Sequence, residues 1–452
     1  MFQEPDIIYR LRHSTFFINL ATLSAGTIIA QLIPLVATFI LSRLYNPDEM
    51  GEWGVFSSYG AILAIIGCLR YDGAIVKSKK QSDAYQLTYI TILFSLLFVI
   101  LLYIIAFIIH MLGIDIGMNF SAMYKLPIYV FTLLSVQSFT NLATYLQKYK
   151  LIATNSINRS ISQTGSRILL GFVNSNRQGM IIGAIIGNII SLFTLCCRID
   201  LLKNRNKIQR TRSLELIKEN KNFPIFDLPS NLLNSVSSHC PPILLSWFFL
   251  DSVVGFFSMA HNLLFIPMSF IGTAVSQLYY RNASENIHNG QPITSLSKRL
   301  FISLFSLGTF FMCLLIICED WLFGIILGSR WNDVGQYVVL LSPWLLLVTT
   351  FSPLSTVFYV KDKQIVNMNL NVLGVIIRVA SIFIVASLFH SSNLTVFSFG
   401  IASYVFHIIQ GYYILKYGEV VFSAKDILLL VSMSSVFMGL YSWKTIQIFL
   451  TS

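Results

Sequence analysis

The chain has 452 residues, of which 55% are hydrophobic and only 11% are charged. A mean hydropathy of +0.70 leaves too little polar surface to cover a water-soluble globule, so the composition excludes a soluble enzyme and indicates a membrane protein. Because a spanning helix needs about 20 apolar residues, the length accommodates roughly a dozen spans and little else.

Apolar segments of spanning length predict eleven transmembrane helices. They lie at 16–44, 53–76, 84–112, 126–145, 180–197, 228–249, 253–279, 300–317, 337–360, 365–389 and 394–415. The segment 151–173 is too polar for hydropathy to settle, and the charge distribution decides it. The run 427–441 is shorter and predicts an extra C-terminal helix that either crosses the membrane or lies in its interface.

Basic and acidic loops alternate along the chain. Lys and Arg cluster at 10–12, 77–80, 148–150, 198–221, 281–299, 361–363 and 416–425, whereas acids dominate at 48–52, 115, 251 and 319–320. The positive-inside rule places the basic loops and the N-terminus in the cytoplasm. Because 148–150 and 198–221 are then both cytoplasmic, an even number of crossings separates them. The span 180–197 supplies one crossing, so 151–173 must supply the other and is the twelfth span. The net charge of +11 is explained by orientation and attraction to anionic lipids, so no nucleic-acid partner is expected.

The hydrophilic segment 200–222 divides the spans six and six. We predict an all-α polytopic membrane protein with an N-terminal six-helix bundle at 1–199, a basic cytoplasmic linker at 200–222, a C-terminal six-helix bundle at 223–418 and an extension at 419–452. Both halves begin on the same side, as parallel repeats do. A weak internal match supports the repeat, since Ser42 and Gly51 correspond to Ser246 and Gly255 at a constant offset.

Four arginines lie inside predicted spans, namely Arg70, Arg159, Arg167 and Arg378. An arginine at the centre of a span costs at least about 2.5 kcal/mol on insertion scales, so these residues call for water or an anion. We interpret all four as candidate ligands for an anion. Arg70 lies close to Lys77, and snorkelling of its side chain to the headgroups is an equal alternative.

Two of the predicted spans carry polar stripes with a period of four residues. One stripe consists of Asn155, Arg159, Gln163 and Arg167, and the other of Asn367, Asn371, Gly374 and Arg378. Both stripes are expected to face the cleft between the halves.

Uncharged polar residues within the spans are candidates for contacts with hydroxyl-rich groups. They are Gln31, Asn155, Gln163, Asn231, Asn234, His239 and Asn371. Hydrogen bonding that merely packs the helices together explains such residues equally well. We expect the seventh span to kink or break at Pro241 and Pro242, and Gly179, Gly183 and Gly187 to be close-packing positions.

Asp72 is the leading carboxylate for coupling to an ion. Residues two apart on a helix face different sides, so Asp72 is expected not to pair with Arg70. A structural ion pair with another helix and a proton- or ion-coupling role both stay open.

Patterns that indicate catalysis are missing from the sequence. It has no glycine-rich phosphate loop, no paired intramembrane carboxylates, no metal-spaced histidines and no serine elbow. The six cysteines fall in or at the ends of apolar segments and are interpreted as packing residues. We therefore expect a transporter rather than an enzyme, without a metal or a cofactor.

Several motifs together resemble one family. They are RLYNPDEMG at 43–51, LRYDGAIV at 69–76, FPIFDLPS at 223–230, SPW at 342–344 and SPLS at 352–355. They are similar to the polysaccharide biosynthesis transporter family, the O-antigen and oligosaccharide flippases, of the multidrug/oligosaccharidyl-lipid/polysaccharide (MOP) flippase superfamily. The resemblance extends to about residue 415, and Asp72 stands where the family often has Glu.

The resemblance implies two six-helix bundles in a V that flip an undecaprenyl-diphosphate-linked oligosaccharide, such as an O-antigen unit for lipopolysaccharide biosynthesis. It also implies that the anion bound by Arg70, Arg159, Arg167 and Arg378 is the diphosphate of this lipid. The movement would run from the cytoplasmic to the periplasmic leaflet of the bacterial inner membrane by alternating access. Implied partners are the lipid-linked substrate, membrane lipids, and the polysaccharide polymerase and chain-length machinery. Two other functions stay open, a cation-coupled drug antiporter of the same superfamily and a membrane-embedded polysaccharide polymerase or ligase. A flippase for the lipid II cell-wall precursor would differ only in its cargo.

Overall fold

A computed structural model describes residues 15–173, 178–199 and 210–451, and the regular structure in these ranges is all helical. The predicted all-α class is therefore confirmed. The chain divides into two compact units, one with Met1–Tyr45 and Val55–Ser235 and one with Asn46–Gly54 and Val236–Ser452.

Ten α-helices begin within the first 235 residues. They are α1 Thr15–Leu44, α2 Pro47–Ile66, α3 Tyr71–Val76, α4 Gln81–Leu112, α5 Phe120–Met123, α6 Leu126–Tyr145, α7 Tyr149–Phe172, α8 Gly179–Arg198, α9 Arg210–Glu219 and α10 Leu228–Phe248. A short π-helix, Phe223–Asp227, lies between α9 and α10.

Seven α-helices follow in the second unit. They are α11 Asp251–His288, α12 Thr294–Leu327, α13 Val334–Phe351, α14 Val357–Val360, α15 Gln364–Phe389, α16 Ser392–Tyr417 and α17 Ala424–Thr451. Two 3₁₀ turns, Ser329–Trp331 and Pro353–Thr356, join α12 to α13 and α13 to α14.

Among the described residues, nine helices are long and apolar enough to cross a membrane. They are α1, α4, α6 with α5, α8, α12, α13 with α14, α15, α16 and α17. The remaining predicted spans are helical as well, but they are more polar or their apolar part is shorter. In α11, for example, only Asp251–Ile266 is strongly apolar.

Helix α17 is longer than the predicted run 427–441. The sequence pattern weakens at Lys444, but the Nζ of this lysine lies 3.2 Å from Glu319 Oε1 in α12, and both side chains are buried. Lys298 and Asp426 pair at 2.5 Å nearer the other ends of the same two helices. The extension is thus a full helix that two ion pairs tie to α12.

The apolar core of the first unit includes a residue from the predicted linker. Leu216 of α9 is buried in a cluster with Leu87, Leu142 and Leu195. Residues 200–209 of the predicted linker lie outside the described residues, and α9 forms its second part. Arg212 anchors α9 by donating from Nη2 to Asp83 Oδ2 at 2.8 Å.

Helix α10 continues through Pro241 and Pro242 without a break, so of the two expected outcomes, a kink or a break, the break is excluded and the kink stays a prediction. Membrane helices tolerate proline where neighbouring helices or side chains satisfy the freed backbone carbonyls.

The two glycines that the internal repeat matches lie against each other in the second unit. A Cβ atom on Gly51 would lie 3.1 Å from the Gly255 nitrogen, and one on Gly255 would lie 3.2 Å from the Gly51 nitrogen. Backbone carbonyls of Pro47 and Asp251 are nearer still. The start of α2 and the start of α11 therefore cross at a point that has no room for a side chain.

Candidate functional site

The polar stripe of α7 packs against α8 in the first unit. Asn155 Nδ2 donates to Ser191 Oγ at 2.8 Å, and further along the helices Arg159 Nε donates to Asn188 Oδ1 at 2.8 Å. The stripe thus lies on the face of α7 that packs against α8. That it also borders the cleft between the halves stays a prediction.

Glycines on α8 make this close approach of the two helices possible. A Cβ atom on Gly183 would lie 2.6 Å from Arg167 Cγ, and one on Gly187 would lie 2.6 Å from Gln163 Cβ. The interpretation of these glycines as close-packing positions is confirmed. Arg167 and Gln163 therefore pack directly against the backbone of α8.

Arg159 is held by neutral groups. Its acceptor Asn188 is fully buried and in turn donates to Thr132 Oγ1 at 3.3 Å, which fixes the orientation of the amide. Within the described residues no carboxylate lies at ion-pair distance from Arg159, and its two terminal nitrogens make no hydrogen bond. The half-buried guanidinium thus keeps both its charge and most of its donors for another group.

Arg167 lies deeper, with 6% of its surface exposed. Its Nε donates to the carbonyl of Met180 at 3.1 Å, and its own backbone carbonyl accepts from Tyr45 Oη at 2.7 Å. This arginine joins α7 to α8 and to the end of α1.

Arg378 forms the corresponding site of the second unit. It leaves α15 and donates from Nη1 to Ser237 Oγ of α10 at 2.8 Å and from Nε to Ser403 Oγ of α16 at 3.2 Å. Its guanidinium carbon lies 4.8 Å from the centre of the Phe406 ring and 6.0 Å from that of Trp344.

These partners of Arg378 are neutral, and no carboxylate among the described residues reaches it. Its Nη2 donates no hydrogen bond within the same residues. Arg159 and Arg378 are therefore two oriented cations, one in each unit, whose charge the described residues do not neutralise.

The uncharged candidate residues are distributed over both units. Asn155 is buried, Gln163, Asn231, His239 and Asn371 are half-buried, and Gln31 and Asn234 are exposed. Asn231 Nδ2 donates to the carbonyl of Asp227 at 2.8 Å, a contact within its own helical segment. In these contacts Asn155 and Asn231 act as packing groups.

Arg70 and Asp72 form an ion pair, so the expectation that they do not pair was wrong. Leu69 and Arg70 have left-handed φ angles of 51° and 61°, which ends α2 before Arg70 and starts α3 after it. Because Arg70 is outside the helix, its Nη1 reaches to 3.5 Å from Asp72 Oδ2. Its Nε also donates to Asp227 Oδ2 at 2.8 Å.

The carboxylate of Asp72 is buried and has further partners. Cys68 Sγ donates to Oδ1 at 3.2 Å, and Asn141 Nδ2 lies 3.2 Å from Oδ2. Of the two open alternatives, this geometry favours the structural ion pair. Arg70, with two carboxylates around it, differs from Arg159 and Arg378 in having its charge matched.

Sequence reasoning missed three residues that orient the arginines, namely Asn188, Ser237 and Ser403. Asn188 follows Gly187 in the glycine pattern of α8, and Ser237 stands within the polar run of α10, so both carried a weak signal. The described residues contain no group of three His, Cys, Asp or Glu side chains that could hold a metal ion.

Comparison with known proteins identifies a family and a fold for the chain. A family model described as polysaccharide biosynthesis protein matches residues 40–336. No curated protein matches the sequence significantly.

Solved structures that are similar to the chain include a flippase and two transporters. The flippase is the lipid II flippase MurJ in an inward closed conformation, with a TM-score of 0.67, 11% identity, and coverage of 95% of this chain and 99% of that one. One transporter is a multidrug resistance MATE family transporter of the MOP superfamily in an inward-facing conformation, with a TM-score of 0.62, 14% identity, and coverage of 92% and 99%. The other is a mutant of the Vibrio cholerae MATE transporter VcmN, with a TM-score of 0.51, 13% identity, and coverage of 89% and 95%. At these identities the similarity shows the fold alone. The chain is a multi-pass membrane protein with the two-lobe MOP fold.

Proposed function

Because the chain belongs to the polysaccharide biosynthesis protein family, we propose that it is a flippase for an undecaprenyl-diphosphate-linked oligosaccharide, such as an O-antigen repeat unit. It moves this cargo by alternating access from the cytoplasmic to the periplasmic leaflet of the bacterial inner membrane. Its N-terminus lies in the cytoplasm, because the basic loops follow the positive-inside rule.

One observation carries the proposal. Arg159 and Arg378 each present a guanidinium that neutral partners orient and that no carboxylate among the described residues neutralises. A diphosphate supplies the missing negative charge, and the planar guanidinium matches phosphate oxygens in bidentate geometry. A cationic drug would need carboxylates where these two side chains lie.

The other two arginines have different parts in this proposal. Arg70 is already paired with Asp72 and Asp227, so it holds the junction between α2, α3 and the start of α10. Arg167 lies eight residues from Arg159 on α7, about 12 Å by helical rise, and adds positive potential on the same side of the helix.

Membrane potential is a sufficient driving force for this cargo. An anion that moves outward across an inside-negative membrane gains about 2.3 kcal/mol per charge per 100 mV, so a diphosphate with roughly two charges gains nearly 5 kcal/mol. Coupling to a proton or sodium gradient is therefore not required.

Translocation in proteoliposomes tests the proposal. The cargo is the undecaprenyl-diphosphate oligosaccharide that accumulates in cells lacking the protein, and appearance in the outer leaflet is followed with a lectin. We expect translocation by the natural protein, a strong loss with Arg378→Glu, and partial retention with Arg378→Lys. Translocation that is equally fast with Arg378→Glu, from protein that inserts normally, would refute the assignment of the diphosphate to this residue. Glycosidic bond formation by the purified protein would favour a polymerase or ligase.

A further inference from the structure

The second unit contains a cavity that the arginine sites do not use. It has a volume of about 320 Å³ and lies between α11 and the junction from α13 to Pro353. Its polar lining residues are Ser269, Thr273, Ser276, Gln277, Thr349 and Ser352. The size is at the lower end of the range for small-molecule sites in proteins.

The lining residues of α11 occupy one helical face. Positions 269, 272, 273, 276 and 277 follow the spacing that brings residues to the same side of an α-helix. Gly272 lies in the middle of this face, and a Cβ atom there would meet only Pro353 Cγ, at 3.6 Å. The face starts just beyond the strongly apolar part of α11, which ends at Ile266.

The hydrogen-bonding groups of the cavity are of two kinds. Ser269 and Thr273 each donate to a carbonyl of their own helix at 2.7 Å, so their oxygens are left to accept. Ser276, Gln277 and Ser352 make no side-chain hydrogen bond within the described part of the chain, and they offer both donors and acceptors. The partly exposed side chain of Phe265 borders the same space.

None of the described lining residues is charged, so the cavity is not a second place for the diphosphate. A neutral ligand with many hydroxyl groups and some apolar surface fits this lining, because hydroxyl and amide groups pair with its hydroxyls while Phe265 contacts its C–H face. An acyl chain fits less well, since it would make no use of the hydrogen-bonding groups of Ser276 and Gln277.

We propose that this cavity binds a neutral saccharide, the part of the cargo that carries the sugar specificity. The inference rests on the proposed function, because the saccharide arrives attached to a lipid diphosphate. In this scheme the arginines recognise the diphosphate that all such lipids share, and the α11 cavity distinguishes one oligosaccharide from another.

The test compares two lipids on the full-length protein by native mass spectrometry. One is the undecaprenyl-diphosphate oligosaccharide from cells that lack the protein, and the other is undecaprenyl diphosphate without sugar. With Gln277→Leu and Ser276→Ala combined, we expect about tenfold weaker binding of the glycosylated lipid and unchanged binding of the bare lipid, as the loss of one or two hydrogen bonds predicts. Gln277→Asn should restore part of the preference.

The control is Ser387→Ala, which removes an exposed hydroxyl of α15 that bonds only within its own helix. It should alter neither affinity. If Gln277→Leu with Ser276→Ala weakens the binding of both lipids equally, the cavity holds the polyprenyl chain and the inference is wrong. If they weaken neither, the cavity is not a binding site. Failure of the natural protein to bind either lipid would instead overturn the proposed function.

Discussion

Ser237 of α10 accepts a 2.8 Å hydrogen bond from Nη1 of Arg378 on α15. With the bond from Nε to Ser403, this contact fixes the plane of a guanidinium that no described carboxylate neutralises. A preoriented cation loses less conformational entropy when it binds an anion than a free side chain does. Under the proposed function, this orientation prepares Arg378 for a phosphate before the cargo arrives.

Removal of this orienting hydroxyl should weaken cargo binding without removing the charge. For Ser237→Ala we expect affinity for undecaprenyl diphosphate to fall about threefold to tenfold, because Ser237 acts only through the orientation of the guanidinium; this range corresponds to about 0.7 to 1.4 kcal/mol. Native mass spectrometry measures the change. Ser246→Ala is the matched control, because Ser246 bonds only to a carbonyl of the same helix; equal losses in both variants would argue against an orienting role.

The glycines of α8 should be intolerant of side chains. Gly183→Leu forces α7 and α8 apart and should lower the free energy of unfolding by about 1 to 3 kcal/mol or more, as overpacked cores do. Thermal unfolding in detergent measures the effect. Gly165→Ala on α7 is the control, because a Cβ atom there would meet nothing within 4 Å. A Gly183→Leu protein as stable as this control would show that the helix contact is not tight.

The close crossing of α2 and α11 leads to a similar prediction. Gly51→Ala places a methyl group against backbone atoms around Asp251 and Gly255, which no side-chain rotation can relieve. We expect lower thermal stability and less inserted protein, measured by fluorescence-detected size-exclusion chromatography. Gly439→Ala in α17, where a Cβ atom would meet nothing, should behave like the natural protein. Unaltered behaviour of Gly51→Ala would contradict the crossing.

The buried pair of Lys444 and Glu319 should hold α17 on α12. Lys444→Met alone leaves a buried carboxylate without its partner and should lower the free energy of unfolding by about 3 to 5 kcal/mol. Lys444→Met combined with Glu319→Leu should restore most of this stability. Thermal unfolding of the three proteins checks this order. Breaking the more exposed pair of Lys298 and Asp426 should lower the free energy of unfolding by a smaller amount. A double variant less stable than the single one would contradict the pairing.

Asp72 should act as a structural residue. Because it is buried with Arg70, Asn141 and Cys68, Asp72→Asn should destabilise the α2–α3 junction, and translocation by the folded fraction should keep its response to potential. We expect translocation by the natural protein to ignore imposed proton and sodium gradients at constant potential. Gradient-dependent transport that Asp72→Asn makes independent of the gradient would instead establish ion coupling.

Periodicity and charge predicted most of the helices. The twelve predicted spans are largely helical, although the span 53–76 is interrupted between Ile66 and Tyr71. The polar helix α7 was found by charge parity where hydropathy was indecisive. The length of α17 was underestimated because Lys444 interrupts the apolar run. Its partner Glu319 lies 125 residues away, and a single sequence does not show such a pairing.

The candidate site was predictable only in part. The four-residue period identified Arg159 and Arg378, but their orienting partners depend on helix packing that the sequence does not encode locally. The prediction for Arg70 and Asp72 failed because it assumed an unbroken helix. Leu69 and Arg70 adopt left-handed φ angles that their side chains do not favour, so no local pattern indicated the break.

Affinity for undecaprenyl diphosphate relative to uncharged undecaprenol tests the central claim most directly. Native mass spectrometry of the natural protein should show a clear preference for the diphosphate. The preference should fall about tenfold to a hundredfold with either Arg159→Gln or Arg378→Gln, because a charge-assisted hydrogen bond contributes about 1.5 to 3 kcal/mol. The two changes together should abolish the preference. An unchanged preference in the correctly folded double variant would contradict the account.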